Sequence, residues 1–476
     1  MSWAGRSAGE IAAAVRQGTI SAAAVVEEHL DRIAERDGAV GAFRVVRRQA
    51  VDEARAVQER HDLSTLPLAG VPVAVKDNLE VAGEATRNGS AATSKDPAAE
   101  DHPAVARLRA AGAVVVGITN VPELCLVGFS DSVYGTARNP WDLTRTAGGS
   151  SGGSAAAVSA GMVPIALGND GMGSLRIPGA CCGVLTLKPG PDVIPPPAHD
   201  WHGLSENGPL ATTAADLALM LSVLSADPSL EQSWETGRRV DPPPPMLRSV
   251  WDDADIVEPV AIRSSADPFD LRIAYAPQPL PPGLRVDAEF KAAVSAAAER
   301  LRVAGHTIVE HGRLPNWLGW STISAWLACA AEDAAGLDPK LLERRTRSLA
   351  RAGRALRRLG LDGVKGRERW QGYGADQWFG DADVLITPTL AALPPKADRW
   401  GSRGFLRNTL VNVGYAPATG PWNMAGWPAL SVPFATHTTG LPISVQLIGP
   451  PGAEPQLLRL AAQLEPYRPP YHPPGF

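Results

Sequence analysis

Lysine is scarce in this chain. Of 45 basic side chains only seven are lysine, at positions 76, 95, 188, 291, 340, 365 and 396. There is no basic excess either: the net charge is −5, which argues against nucleic acid or an anionic membrane surface as partner. Cysteine is rare, with four in 476 residues (Cys125, Cys181, Cys182, Cys329). None forms a C-x-x-C pair or a Cys/His cluster with metal spacing, so a zinc module is excluded. They read as buried small hydrophobes in a reducing compartment. The opening segment MSWAGRSAGEIAAAVRQ lacks the continuous apolar run of a secretory signal. It reads as a helix, with Ser7 and Glu10 as a capping box and Gly18 as its stop. The expected compartment is the cytoplasm. What remains is ordinary globular material, 45% hydrophobic and 20% charged, with ample chain for a large core.

Two helices are expected at 8–17 and 22–36, the second capped by Ser21. The segment VPVAV within 68–78 reads as a buried strand. A helix over 102–113 and the strand VVVGIT (114–119) follow. Ser154 is placed as the cap of a short helix ending at Gly161, before a strand at 164–168. Residues 208–224 read as another helix. Residues 226–270, with DPPPP and weak periodicity, read as a surface excursion or linker. Order resumes with a strand at 271–276 and a helix at 286–305, and ALSVPF and LPISVQLIG form a hairpin near the C-terminus. The alternation argues for an α/β fold around a mostly parallel sheet.

Charge is nearly missing from Thr146 to Leu187, where Asp170 and Arg176 are the only acid and base. Glycine, serine and proline interrupt the stretch too often for a membrane span. Deep burial is expected instead, with Asp170 and Arg176 partnered, each by the other or by other groups. Between them lies Ser174, in GNDGMGSLRIPG. Gly171 and Gly173 allow close or left-handed backbone, and successive N–H groups there can cradle an anion. An acyl-transfer enzyme needs such a nucleophile beside oxyanion donors. A structural turn with a solvated serine fits these residues as well. No histidine lies near the motif. Lys76 directly follows the apolar strand; desolvation would lower its pKa and make it a base. A lysine snorkelling from a strand end fits the spacing equally.

The segments GVPVAVKDN, ITNVPE, ARNPWDLTRTAGGSSGGSAAAVSAG, GNDGMGSLRIPGACCGVLTLKPG, GPLATTAADLALML, PWNMAGWPALSVP and GLPISVQLIG together resemble the amidase signature family. The likeness runs from the opening helices to the end, except the loose middle. It implies an α/β fold in which a large, mostly parallel mixed sheet is covered by helices on both faces. It implies one domain over 1–476, with a catalytic part at 1–225 and a part completing sheet and pocket at 271–476. It implies a Ser–cis-Ser–Lys amidohydrolase with Ser174 as nucleophile, Ser150 as bridging serine within or after a cis peptide, and Lys76 as base. The backbone amides of Gly171, Met172 and Gly173 would form the oxyanion hole, with Ser151, Asp170 and Arg176 in support. The substrate would be a small-molecule amide, with no metal or organic cofactor, and a homodimer is compatible with the family.

Met172 departs from the pattern by standing where the family has glycine. It keeps its N–H but tolerates positive φ poorly, which bears on substrate shape more than on catalysis. Residues 148–152 and 149–153 also fit G-x-S-x-G, which would make Ser150 or Ser151 the nucleophile of a Ser-His-Asp esterase. A glutaminase-type subunit of an amidotransferase is the other alternative. The tryptophan-rich NWLGWSTISAW (316–326) suits an apolar pocket better than a glutamine site, and specificity is expected in 310–330, 400–425 and Leu126–Phe129.

Overall fold

The computed structural model describes residues 2–227 and 270–470, with 472, 473 and 475. Most of the expected excursion at 226–270 lies outside the described residues. Both opening helices form, at Ala8–Arg16 and Ala22–Val40. The Ser7–Glu10 capping box is reciprocal, and Ser21 accepts from Ala24 N–H. Each cap satisfies amide donors that a helix start leaves without intrahelical partners.

The core is an eleven-stranded sheet among the described residues. Its order is Phe43–Val46, Val114–Thr119, Pro72–Lys76, Ile165–Asp170, Glu206–Ala211, Leu185–Lys188, Ala429–Thr436, Pro442–Ile448, Val384–Pro388, Arg272–Tyr275 and Thr307–Glu310. Helices cover both sides. The sheet is mixed, as expected, but not mostly parallel: four of its ten neighbour pairs are parallel. Strands expected at 429–434 and 441–449 do form an antiparallel hairpin, because so short a connection cannot carry a parallel crossover. The sheet takes strands from both halves of the chain, so the late segments finish what the early ones begin.

Two local expectations change. Residues 208–224 are not one helix. Glu206–Ala211 is a strand wedged between Ile165–Asp170 and Leu185–Lys188, and the helix begins only at Ala214, capped by Thr213. The apolar GPLA run is equally at home in a buried strand, and pairing on both edges decides it. Ser154 does not cap the short helix, which spans Gly152–Ser159. It sits inside, its hydroxyl 2.8 Å from that of Thr119. Among the described residues no helix is long and apolar enough to cross a membrane.

Candidate active site

Pro72–Lys76 is buried along its whole length and runs parallel to both neighbours. Lys76 therefore stands at the carboxyl end of an inner parallel strand, and Asn169 and Asp170 stand at the carboxyl end of the next. Crevices beyond such strand ends are where open α/β sheets place ligands. The turn after Lys76 is held by Asp77. Its carboxylate pairs with Arg44 at 2.8 Å and accepts from Arg87 N–H at 3.0 Å.

Lys76 is wholly buried. Its Nζ lies 2.8 Å from Ser150 Oγ and 3.3 Å from the Asn169 carbonyl oxygen, and it also bonds Asn169 Oδ1. Burial lowers its pKa from the ordinary lysine value; the Cys125 thiol and the Asp170 carboxylate act in the opposite direction. The peptide between Gly149 and Ser150 is cis. Ser151 donates from Oγ to the Asn169 carbonyl at 3.1 Å and from N–H to the Ser174 carbonyl at 3.0 Å. These bonds lash the serine-rich turn to both the strand and the loop bearing Ser174.

The glycines of this turn serve close approach. A Cβ at Gly149 would lie 2.7 Å from Phe129 N, and one at Gly153 would lie 2.6 Å from Asn120 N. Gly173 differs, because its φ of +120° needs glycine. Gly171 and Met172 are not in the left-handed region, so Met172 carries no backbone penalty. Gly171 instead leaves room for the Trp201 ring.

Asp170 and Arg176 find each other, with no exposure of either side chain and Nη2 2.8 Å from Oδ1. Arg176 also donates to Thr419 O, Gln446 Oε1 and Asn423 Oδ1. Asp170 accepts from the backbone N–H groups of Gly173 (2.6 Å), Leu175 (3.1 Å) and Arg176 (3.3 Å). Burial alone would raise the Asp170 pKa, but the Arg176 charge and the side-chain hydrogen bonds from Arg176 and Asn423 outweigh it and hold the carboxyl below its usual range.

One expected oxyanion donor is thereby committed, since the Gly173 amide belongs to Asp170. The amides of Met172 and Ser174 donate to no described residue. Ser174 is half-buried and lines a cavity of about 140 Å³. Its hydroxyl makes no hydrogen bond to a described residue, so the Ser150–Ser174 leg of the expected relay is open in this state. Catalytic hydrogen bonds are often loose before substrate binds.

The cavity draws on all three segments expected to set specificity: Leu126–Gly128, Leu314–Trp326 and Asn412–Pro421. Phe129 lies under the wall and stacks on Trp400. Sequence reasoning missed Asn169, Cys125 and the 280–284 turn. It also missed the distant Asn423, Gln446 and Thr419, although Asn423 lies in the quoted PWNMAGWPALSVP. Cys125 is the cysteine that departs from the inert reading: it lines the cavity, while the other three are buried and none is paired.

The amidase family model matches residues 24–458. The chain belongs to the amidase signature family. AmiB2 of Mycobacterium tuberculosis is 40% identical over 466 residues, 95% of this chain and 94% of that one. The acylamidase of Rhodococcus erythropolis is 33% identical, covering 97% of this chain and 95% of that one. Among solved structures, 6-aminohexanoate cyclic dimer hydrolase with its substrate aligns at a TM-score of 0.81, with 27% identity and 98% of each chain covered. This amidase is a hydrolase of amide C–N bonds.

Proposed function

We propose that the chain hydrolyses a carboxylic acid amide through an acyl-enzyme on Ser174, with Lys76 as base acting through Ser150. The observation that carries this is the contact of 2.8 Å between the buried Lys76 amine and Ser150 Oγ. A neutral lysine has two N–H donors and one lone pair. Two acceptors, Asn169 O and Oδ1, take the donors, and the lone pair is left for the Ser150 hydroxyl. Deprotonation of Lys76 thus turns Ser150 from acceptor to donor, ready to take a proton from Ser174 in turn.

Ser174 then attacks the amide carbon. The oxyanion develops toward the amides of Gly171, Met172 and Ser174, while Gly173 N–H keeps the loop tied to Asp170. The proton held by Lys76 returns through Ser150 to the leaving amine, and the C–N bond breaks. Water deacylates the ester by the same relay. One domain over 1–476 suits this reading, because Asn423 and Gln446 clamp the Arg176 that organises the early half. The amidase and acylamidase relatives favour plain amide hydrolysis over a glutaminase subunit, which is represented at 24% identity by the fold alone. An aqueous compartment and a small-molecule substrate accord with both.

A fluorophosphonate probe followed by peptide mass spectrometry tests the assignment. Label on Ser174, lost in Ser174→Ala and slowed in Lys76→Ala, is expected. Label on Ser150 or Ser151 would restore the nucleophile-elbow reading and overturn this one.

A further inference from the structure

We propose that the site takes an uncharged, apolar amide whose group beside the scissile bond is about the size of a phenyl ring, and turns away amides charged on that group. The inference rests on Ser174 being the reacting serine. The described residues lining the cavity include no Asp, Glu, Lys, Arg or His. The polar side chains at the wall are already bonded within the chain. Trp326 Nε1 donates to Leu126 O at 2.6 Å, and Trp201 Nε1 donates to Asp333 Oδ2 at 2.8 Å. Thr322 Oγ1 donates to Leu318 O at 2.8 Å. Asn412 accepts from Gly128 N–H and donates to Asn408 O, both at 2.8 Å. Cys125 gives its S–H to Asn88. Beyond Ser174 and the adjacent amides, a substrate meets mostly aliphatic and indole surface.

A charge placed there would lose its water and gain no counter-ion from the lining, which is costly. Size follows from volume. The cavity, at about 140 Å³, matches the roughly 150 Å³ void that admits benzene in an engineered core. A free amino acid amide or a glutamine-like zwitterion brings charge that this lining does not meet.

The test compares benzamide, 4-carboxybenzamide and 4-(aminomethyl)benzamide as protectants of Ser174 against the fluorophosphonate. Calorimetry with the same three amides on Ser174→Ala reads binding without any nucleophile. Failure to label Ser174 would therefore sink the nucleophile assignment, while calorimetry still decides the pocket. Benzamide is expected to protect and bind at concentrations at least ~100-fold below either charged analogue. Thr322→Asp is expected to bring the cationic analogue at least ~10-fold closer to benzamide and to push the anionic one further away. Either charged analogue acting within tenfold of benzamide on the wild-type wall would overturn the proposal, whether or not the variant folds. Anthracene-9-carboxamide binding as well as benzamide would overturn the size assignment.

Discussion

Asp170→Asn is the substitution whose consequences the structure prescribes most fully. The carboxylate accepts from three backbone amides of the loop bearing Ser174, from Arg176 Nε at 2.9 Å and Nη2 at 2.8 Å, and from Asn423 Nδ2 at 2.9 Å. Neutralising it leaves the wholly buried Arg176 guanidinium with neutral acceptors only, those of Thr419, Gln446 and Asn423 and one amide oxygen at position 170. Breaking one side of a buried pair costs about 3–5 kcal/mol. An asparagine also cannot accept from every loop amide, so the turn bearing Ser174 loosens. Arg176→Met is the informative contrast. It leaves the carboxylate with three backbone donors and Asn423, an arrangement that still stabilises the anion. Both variants should lose stability in urea unfolding, but Asp170→Asn alone should lose most of the fluorophosphonate labelling rate. The pH dependence has a definite sign. Because the Asp170 pKa is lowered in the folded state, its contribution is present above the ordinary carboxylate pKa of ~3.9 and is lost as pH falls from there toward the folded value. Asp170→Asn should lack that acid-limb loss. A stability within about 1 kcal/mol of wild type, or equal labelling rates in the two variants, would refute the reasoning.

Lys76→Ala should reduce turnover by ~10²–10⁴-fold while the far-ultraviolet circular dichroism spectrum stays native. Burial lowers the lysine pKa, so the neutral base is lost as pH falls through that lowered value. Activity should decline on the acid side, and a rate flat down to about pH 5 would count against the lysine. Gly173→Ala forces a Cβ to 2.7 Å from Thr419 Cβ at a φ of +120°. A loss of about 1–3 kcal/mol in denaturant titration, with weakened labelling, is the expected outcome. Met172 lines the cavity, and its sulfur lies 3.4 Å from where a Gly420 Cβ would stand. Met172→Gly should therefore widen the cavity and raise kcat/KM for a naphthyl amide relative to a phenyl one by ~10-fold or more. An unchanged ratio would place the methionine among purely structural residues.

Where a feature depends on neighbours in sequence, the sequence alone determined it. Ser7 and Glu10 cap their helix because the partners are three residues apart. The late hairpin forms because its strands are joined by a short turn. The near absence of charge from 146 to 187 could mean only burial, and burial required a partner for Asp170 and for Arg176. Lys76 and Ser174 were identifiable as candidates from residue type and sequence context, and Ser150 as their bridge through the family resemblance. What depends on the rest of the chain was not legible. The run 206–211 became a strand because two strands flank it, an arrangement its own pattern does not encode. The sheet's balance of directions follows from which strands become neighbours, and several of those are distant in sequence. Asn169 faces Lys76 only once two parallel strands lie side by side, and the Asp170 carboxylate that holds the loop bearing Ser174 also takes the Gly173 amide. Thr419, Asn423 and Gln446 converge on Arg176 across more than two hundred residues of chain. Tertiary structure decided these points because a buried charge selects its partners by position in space, and position in space is settled only when the whole sheet has closed around it.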